Sequence, residues 1–468
     1  MIPATTPLAP GVLPDAVIRS PNANAYFFAV TLSPTLSAEG VQAWLKDVTA
    51  LIAELKDYES NGAPVVSVCT AFSASFFLAA GQPRFGLAPA QIPAGLASPP
   101  EVPALAAIPQ VAGDVLFYVM SLSEAAIGAF ERGLSATRAA GLQSVTVELG
   151  FQRKDKRENF GFLDDLRNAQ GEREEVAFVN PELSPEEPAW VAGGSYLAYI
   201  KIAQNLEAMA GKNEEEQNAV IGRRKADGSR LDLPPGTPVA DEGPFEGNAC
   251  PATAHIRKAG PRGVLHDETK IFRRGVPFLT MREDGSIEAG LQFVSFQRSL
   301  SAFAVIFERW MTNTNFPTEN AGEDSLLAER LITLEKAGFF FAPPHDERFI
   351  GAPIFDAPPV DPCTIGHIVV QKQLIGRNGQ PILSELGGIS FEVRREGAAV
   401  GEQFSTDSTG RAVSPPLPRG VPLVVHEISP PTGFQQAEDV PVTLTTAREL
   451  VPVVNHQSPE GPPPIYTG

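Results

Sequence analysis

Two segments of this chain, CPATAHIRKAGPRG at residues 250–263 and FRRGVPF at residues 272–278, hold the residue types that most restrict its chemistry. The first contains one histidine, His255, in a basic setting, and the second contains the pair Arg273–Arg274. Histidine is the commonest protein ligand for a metal or for haem iron. An arginine nearby can stabilise negative charge that develops during a reaction. A buried histidine is also a common core residue, so spacing alone leaves both interpretations open.

Further motifs lie on either side of these segments. GFLDD at residues 161–165 places Asp164 after an aromatic-rich turn, and residues 290–317 read GLQFVSFQRSLSAFAVIFERWMTNTNFP. A carboxylate such as Asp164 is suited to general acid/base work. The ordinary alternative is a helix N-cap or a solvated loop aspartate.

Together and in this order, these segments resemble the dye-decolorizing peroxidase family. The family binds haem through the histidine of an AHIRK segment, followed by an RRGVPF segment. GFLDD is similar to the family's GFxDG, and residues 290–317 are similar to its GLLFVSYQ…QRWANNPNFP. The resemblance covers about residues 20–345.

The resemblance implies an α+β fold of two ferredoxin-like halves, of the dimeric α+β barrel type. It implies a haem b cofactor with His255 as the proximal ligand of the iron. The implied reaction uses hydrogen peroxide to oxidise bulky dyes or phenols, the reducing organic substrates, through a ferryl intermediate.

The resemblance also assigns roles to single residues. Asp164 would move a proton between the two peroxide oxygens, and Arg273 would stabilise charge as the O–O bond breaks. Arg273 is preferred to Arg274 from the match of the RRG segment, and Phe278 is implied as a haem contact. Asp324 matches the family's acid that hydrogen-bonds the proximal histidine, although a helix N-cap explains it equally well.

One residue departs from the family pattern. Asp165 stands where GFxDG ends in glycine, while Asn168 of the extended motif is kept. A glycine beside a cofactor usually indicates close backbone approach or a positive φ, and aspartate tolerates the left-handed region. A second carboxylate beside Asp164 should also disfavour ionisation of one of the pair.

The composition excludes several classes of partner. The formal charge is −18 without a lysine- or arginine-rich block, which argues against nucleic acid or an anionic membrane. The three cysteines have no CxxC spacing, so no zinc site is predicted. No apolar run is long enough for a membrane span. The first residues, MIPATTPLAP, lack the basic and apolar regions of a signal peptide, so a cytoplasmic location is the default expectation.

Periodicity predicts how the first half is built. Dense apolar runs at residues 25–32, 113–122 and 144–151 have strand length, and apolar spacing over 37–53 predicts a helix. With a helix over 123–139, the order is β-α-β-β-α-β, the ferredoxin-like pattern. A second copy starts near residue 193 and includes a predicted helix over 300–310. Its sequence IGRRKADGSRL, residues 221–231, is interpreted as a basic loop without function.

The last hundred residues change character. Short β-type runs separated by NG, GG, STG and PTG turns predict a small antiparallel sandwich. The segments VVQKQLIGRNGQPI, TDSTGRAVSPPLPRGVPLVVHEISPPTGF and VPVVN resemble the B-repeat (prealbumin-like) domains of Gram-positive surface adhesins. In that family a lysine and an asparagine can form an amide bond, helped by a glutamate. The matching residues are Lys372, Asn455 and Glu427, which could instead be ordinary edge residues.

The sequence therefore predicts six segments. They are an extended arm (1–22), an N-terminal half (23–185), a C-terminal half with His255 (186–345), a Pro-rich linker (346–363), a β-sandwich module (364–457) and a disordered tail (458–468). The predicted function is that of a haem peroxidase. The alternative is a catalytically weak haem-binding protein whose C-terminal module serves adhesion or docking to a partner. The sequence does not predict an oligomeric state.

Overall fold

A computed structural model describes most of the chain. The described residues are 24–55, 59–60, 63–64, 66–137, 141–168, 173–180, 184, 187–263, 266, 269–282, 284–356, 365–382, 385–395, 397–445 and 448–459. The predicted N-terminal arm and most of the predicted tail lie outside these residues. No helix of the described residues is long and apolar enough to cross a membrane.

The first half follows the predicted β-α-β-β-α-β order. Its elements are β1 (Asn24–Leu32), α1 (Ala38–Leu55), β2 (Val66–Ser73), β3 (Val115–Ser121), α2 (Glu124–Ala136) and β4 (Leu142–Phe151). The strands pair in the order β2-β3-β1-β4, all antiparallel. Both predicted helices are confirmed. The side chain of Ser123 caps α2 by accepting a hydrogen bond from the Ala126 N–H at 3.3 Å.

The second half repeats the same strand order. Its elements are β5 (Ser195–Gln204), α3 (Leu206–Ala210), α4 (Glu214–Ile221), α5 (His255–Ala259), β6 (Phe272–Arg273), β7 (Val276–Met281), β8 (Ile287–Gln297), α6 (Leu300–Ala304), α7 (Ser325–Ala328) and β9 (Ile332–Ala342). Strands β6 and β7 both pair with β8, followed by β5 and β9. The predicted helix over 300–310 is α-helical only at its start, because Val305–Met311 continue it as a π-helix. Such widened turns are frequent at functional sites.

The two halves share one curved sheet. Strands β9 and β2 join them through the pairs Phe340–Ser73 and Phe341–Phe72. At the other ends of the sheet, Gln292 Nε2 in β8 donates to the Leu149 carbonyl in β4 at 3.0 Å. The sheet therefore curls round a core to which both halves contribute, and the helices of each half pack outside it.

Shorter elements connect these layers. They are the strand pairs Glu59–Ser60 with Ala63–Pro64 and Leu78–Ala79 with Gln82–Pro83, and the helical turns Ala74–Phe77, Pro89–Gln91, Ala94–Ala97, Pro103–Ala106, Arg173–Ala177, Ala189–Val191 and Val239–Asp241.

The start of the predicted Pro-rich linker is packed rather than extended. Phe349, Ala352 and Ile354 are buried in the core cluster of the first half, and Ala352–Asp356 form a short helix, α8. Three apolar side chains of this segment pack against the core. The high proline content of the segment suggested an extended linker instead. Residues 357–364 of the predicted linker lie outside the described part.

The C-terminal module consists of two small sheets that enclose a common core. Its main strands are β10 (Ile365–Ile375), β11 (Ser390–Arg395), β12 (Arg411–Val413), β13 (Pro422–Glu427), β14 (Val440–Thr443) and β15 (Arg448–His456). Its short strands are Pro381–Ile382, Ala398–Ala399, Phe404–Ser405 and Leu417–Pro418.

The prediction of a purely antiparallel sandwich is wrong at one pair of strands. The first and last strands, β10 and β15, run parallel along their length, with Lys372 opposite Val453 and Leu374 opposite Asn455. The reason is topological: the last strand returns beside the first from the same end of the module. Short β-type runs in a sequence do not reveal strand direction.

Candidate active site

A cavity of about 440 Å³ lies between the sheet and the helices of the second half. Its walls are largely apolar, with Ile200 and Ile202 from β5, Leu291 and Phe293 from β8, Phe303 from α6, and Ile306 and Phe307 from the π-helix that continues α6. Predicted site residues from separate motifs also line it: Asp164, His255 and Arg273. The motifs identified along the sequence therefore meet in one place.

His255 begins helix α5 and is oriented by a buried carboxylate. Its Nδ1 lies 2.8 Å from Oδ2 of Asp324, which is fully buried. The other oxygen of Asp324 accepts from the Leu326 N–H at 2.9 Å and caps α7. Asp324 therefore has both of the roles that the sequence left open, because it hydrogen-bonds His255 and also caps a helix. Because Nδ1 faces the carboxylate, Nε2 is the nitrogen left to act as a ligand.

Lys258 fastens the His255 helix to the π-helix. Its buried ammonium donates to the carbonyls of Trp310 at 3.1 Å and Asn313 at 2.6 Å, and also to the Phe316 carbonyl. Burial lowers the pKa of Lys258 to about 8, and the nearby charge of Asp324 opposes this shift. The carbonyls at the end of a helix attract a cation, which fixes the direction of α5.

The loop with GFLDD presents Asp164 and Asp165 side by side. Asp165 has φ +59°, so of the two alternatives that the family glycine indicates, close backbone approach or a positive φ, the structure shows the positive φ. The Asp165 N–H donates to Oδ1 of Asp164 at 2.7 Å. Partial burial raises the pKa of Asp165, and the charge of Asp164 adds to the rise, whereas Asn168 and Arg273 oppose it.

Glu158 holds the GFLDD loop through hydrogen bonds to its backbone. The sequence did not predict this role. Its carboxylate accepts from the N–H groups of Phe160 and Phe162, each at 2.9 Å, and from Gln204 Nε2 at 2.6 Å. Burial raises the pKa of Glu158. A glutamate a few residues before an aromatic turn gives little signal in a sequence, because surface glutamates are common at such positions.

Arg273 reaches the cavity, whereas Arg274 turns away from it. The backbone N–H of Arg273 donates to Oδ1 of Asn168 at 2.9 Å, and Asn168 Nδ2 donates back to the Arg273 carbonyl at 2.7 Å. Arg274 is buried, with its guanidinium 4.7 Å from the centre of the Phe272 ring. The sequence-based choice of Arg273 is therefore consistent with the geometry.

Phe278 does not line the cavity, contrary to the predicted haem contact. It lies on β7 opposite Gly290, and Lys201 Nζ sits 5.0 Å from the centre of its ring. Side chains alternate across a strand, so Phe278 shares a face with Val276, which belongs to the core inside the curved sheet. The cavity lies on the opposite face, where Gly275 and Leu291 line it.

One end of the cavity is strongly cationic. Arg167, Arg223, Arg262 and Lys270 line it. The buried Glu242 binds Arg223 in a bidentate pair and accepts from Arg262 Nη2 at 2.8 Å. Among the described residues, the buried Nε of Arg262 has no hydrogen-bond partner. The guanidinium groups of Arg167, Arg223 and Arg262 all lie within 4.0 Å of the single Glu242 carboxylate, which leaves a surplus of positive charge around it.

Residues 221–231, which the sequence predicts to be a basic loop without function, contain two arginines that are not exposed to solvent. Arg223 lines the cavity and Arg230 is fully buried. The available signal was the density of arginines in GRRKADGSR, since arginine is the residue most often used in buried ion pairs.

Removing the charge of Glu242 should destabilise the protein strongly. Burial opposes ionisation, but the hydrogen bonds and charges of Arg223 and Arg262 outweigh it and lower the pKa of Glu242. Glu242→Gln leaves two buried guanidinium groups without their counter-charge, which should cost about 3–5 kcal/mol of unfolding free energy. Urea unfolding followed by circular dichroism measures this loss.

The pH dependence of the Glu242 contribution has a definite sign. Because the folded-state pKa is lowered, the contribution is complete above the pKa of the unfolded state and is lost as the pH falls through the folded-state pKa. The difference between wild type and Glu242→Gln should therefore shrink in acid. Glu438→Gln, at an exposed position of the C-terminal module, is the control. Equal stability of wild type and Glu242→Gln at neutral pH would contradict this account of the ion pair.

A second cluster of buried ionisable residues lies in the C-terminal module. Lys372 on β10, Glu427 on β13 and Asn455 on β15 are 1%, 2% and 1% exposed. Lys372 Nζ lies 2.7 Å from Glu427 Oε1, and Asn455 Nδ2 donates to Glu427 Oε2 at 2.7 Å. Burial lowers the pKa of Lys372. Lys372 and Asn455 both face the core of the module.

Comparison with known proteins agrees with this geometry. Residues 155–347 match the family described as Dyp-type peroxidase, C-terminal. This part of the chain is therefore similar to that family. It contains the GFLDD loop, the AHIRK helix, Arg273 and Asp324. The matched residues thus include all the predicted site residues that line the cavity.

Two curated relatives cover part of the chain. Dye-decolorizing peroxidase msp1 of Mycetinis scorodonius is 28% identical over 36% of this chain and 45% of its own length. Deferrochelatase of Escherichia coli (strain K12) is 31% identical over 30% of this chain and 34% of its own length. The chain spans less than half the length of these relatives.

Solved structures share the fold of about three quarters of this chain. A DyP-type peroxidase from Cellulomonas bogoriensis has a TM-score of 0.59 at 22% identity, covering 75% of this chain and all of that one. Ferric DtpA from Streptomyces lividans has a TM-score of 0.58 at 21% identity, covering 73% of this chain and 93% of that one. At these identities the likeness concerns the fold.

Proposed function

We propose that the protein is a haem peroxidase of the dye-decolorizing type. The observation that carries the proposal is the meeting of His255, Asp164 and Arg273 around one apolar cavity, with His255 held by the buried Asp324. The Dyp-type domain match supports the same reading. Bulky dyes or phenols are the proposed reducing substrates, by resemblance to the family.

The residues of the cavity fit a haem. Its apolar walls suit a flat porphyrin, and the cationic end suits the two carboxylates that haem b carries. The buried Nε of Arg262, which has no partner among the described residues, is a donor that an anionic group would satisfy. His255 would ligate the iron through Nε2, while Arg167, Arg223 and Arg262 would face the carboxylates.

A bound haem would supply iron that accepts peroxide and passes oxidising equivalents to substrate. The protein residues would handle protons and charge. Asp164 would accept a proton from peroxide and return it to the departing oxygen. Arg273 would stabilise the negative charge on that oxygen, from a backbone position fixed by Asn168. Asp324 would keep the proton on Nδ1 of His255 and raise the donor strength of Nε2.

The visible absorption spectrum of the protein supplied with haem tests the ligand role of His255. We expect a Soret band in the wild type that changes on addition of one equivalent of peroxide. His255→Ala should lose at least about tenfold in haem affinity, since the axial bond is removed. His345→Ala, at an exposed position outside the cavity, is the matched control. A wild type that binds no haem would refute the proposal.

The same experiment separates the alternative function. A Soret band that only bleaches with peroxide would favour a catalytically weak haem-binding protein. The C-terminal module would then serve adhesion or docking. Peroxide-dependent oxidation of a dye or phenol favours the enzyme.

For the C-terminal module we propose an amide bond between Lys372 and Asn455, by resemblance to the B-repeat (prealbumin-like) domains. Neutral Lys372 Nζ would attack Cγ of Asn455, and the Cγ–Nδ2 bond would break with release of ammonia. Protonated Glu427 would polarise the amide and deliver a proton to the leaving nitrogen. The contacts of Glu427 with both partners support this proposal.

A further inference from the structure

Asp165 places a charge in the cavity that the family pattern does not contain. It lines the cavity next to Asp164, and its left-handed backbone conformation is one that aspartate adopts more readily than most residues. The glycine of GFxDG would leave the same space without charge. The substitution therefore changes the electrostatics of the cavity without requiring a different loop.

The Asp165 carboxylate is held in place. Asn168 Nδ2 donates to its Oδ1 at 2.6 Å, and the same amide group bonds the backbone N–H and carbonyl of Arg273. A carboxylate tied to a fixed amide cannot turn freely into solvent. Its charge stays on the side of the cavity that also presents Asp164 and Arg273.

Asp165 adds a second carboxylate to this side of the cavity. Asp164 and Asp165 line the cavity together with the arginines Arg167 and Arg273. Arg274, which is buried against Phe272, also acts on Asp165. With glycine at position 165, the same cations would face one carboxylate fewer, so the cavity would attract an anion more strongly.

We propose that Asp165 is a specificity-determining residue that disfavours anionic ligands in the cavity and thereby favours a neutral oxidant. This inference rests on the proposed haem site. Hydrogen peroxide is uncharged at neutral pH, so a nearby carboxylate does not repel it. An anion that binds ferric haem must approach the additional carboxylate through a partly desolvated space, where charge interactions are stronger than in water.

The test compares an anion with a neutral ligand in the haem-loaded protein. Azide is titrated into the ferric protein, and carbon monoxide into the ferrous protein, at neutral pH and physiological ionic strength, with the Soret band as readout. Asp165→Asn removes the charge but keeps an acceptor for Asn168, and Asp165→Gly restores the family residue. Asp155→Asn is the control, because Asp155 lies in the same polar segment, is exposed and does not line the cavity.

We expect both Asp165 variants to bind azide on the order of tenfold more tightly than wild type, with carbon monoxide affinity unchanged. Asp155→Asn should bind both ligands as wild type does. Unchanged azide affinity in both variants would overturn the inference while haem binding stands. Tighter binding in Asp165→Gly alone would also overturn it, because the effect would then arise from space and not from charge. If the wild type shows no Soret band, that result would contradict both the proposed function and this inference.

Discussion

Replacing Asp164 or Arg273 by alanine should lower kcat/KM for peroxide-dependent oxidation by about 10²–10³-fold and leave haem bound. Asp164 is the proposed proton carrier, and Arg273 is the proposed stabiliser of the departing oxygen. Neither residue contacts His255 or Asp324 in the described contacts, so the proximal side should be unaffected. If the variants have the same Soret band as the wild type, they still bind haem, and the loss of activity is then a loss of catalysis and not of the cofactor.

Steady-state oxidation of a phenol, with peroxide varied at saturating phenol, measures this effect. Asp155→Ala and Arg282→Ala are matched controls, because both residues are exposed and neither lines the cavity. Their kcat/KM should stay at the wild-type value. Dye oxidation by Asp164→Ala and Arg273→Ala at the wild-type rate would show that the catalytic assignment is wrong, even with haem in place.

The second large effect concerns the C-terminal module. If Lys372 and Asn455 are joined, the bond ties β10 to β15 and closes a loop that contains nearly the whole module. By the chain-entropy argument for a cross-link of this size, the bond should contribute about 4–5 kcal/mol to unfolding free energy. For a domain of this length, that corresponds to a Tm lower by roughly 20 °C or more in Lys372→Met.

Intact mass spectrometry and calorimetry of the full chain test this prediction. The wild type should weigh less than its sequence by one molecule of ammonia. Lys372→Met and Glu427→Gln should have the mass calculated from their sequences, and the first should show the lower Tm. Lys336→Met, which changes a lysine outside the module, is the control for mass and for the module transition.

The buried pair Lys372–Glu427 also predicts what the measurements would show if the amide bond does not form. Without the bond, Lys372 and Glu427 form a buried ion pair that is expensive to desolvate. Replacing both of its members by apolar residues is then often neutral or stabilising. A wild-type mass equal to the calculated one, together with an unchanged Tm in the Lys372→Met, Glu427→Leu double variant, would contradict the proposed bond.

Much of the fold could be predicted because its signals are local. Helix α1 follows from the apolar spacing of Val41, Trp44, Leu45 and Val48, all of which are buried. The β-α-β-β-α-β order follows from strand-length runs and a capping serine. Such patterns depend on neighbours within a few residues, so they survive in the sequence alone.

The contact of Asp324 with His255 could be predicted only through resemblance. The two residues are far apart in sequence, and a capping aspartate has the same local signature whether or not it meets a histidine. The ion-pair cluster of Glu242 with Arg223 and Arg262 had only a weak local signal, the density of arginines around Arg223. Its members are ordinary surface residue types until folding buries them together.

The sequence by itself determined the order of the strands and helices, and its resemblance to a family indicated His255, Asp164 and Arg273 as the residues of one site. Tertiary structure alone decided which face each residue occupies. Phe278 shares a face with the inner core because β7 pairs with β8 in one register. The last strand β15 lies parallel to β10 because the chain returns from the same end. Register and strand direction are set by pairing between distant segments, and local periodicity does not encode them.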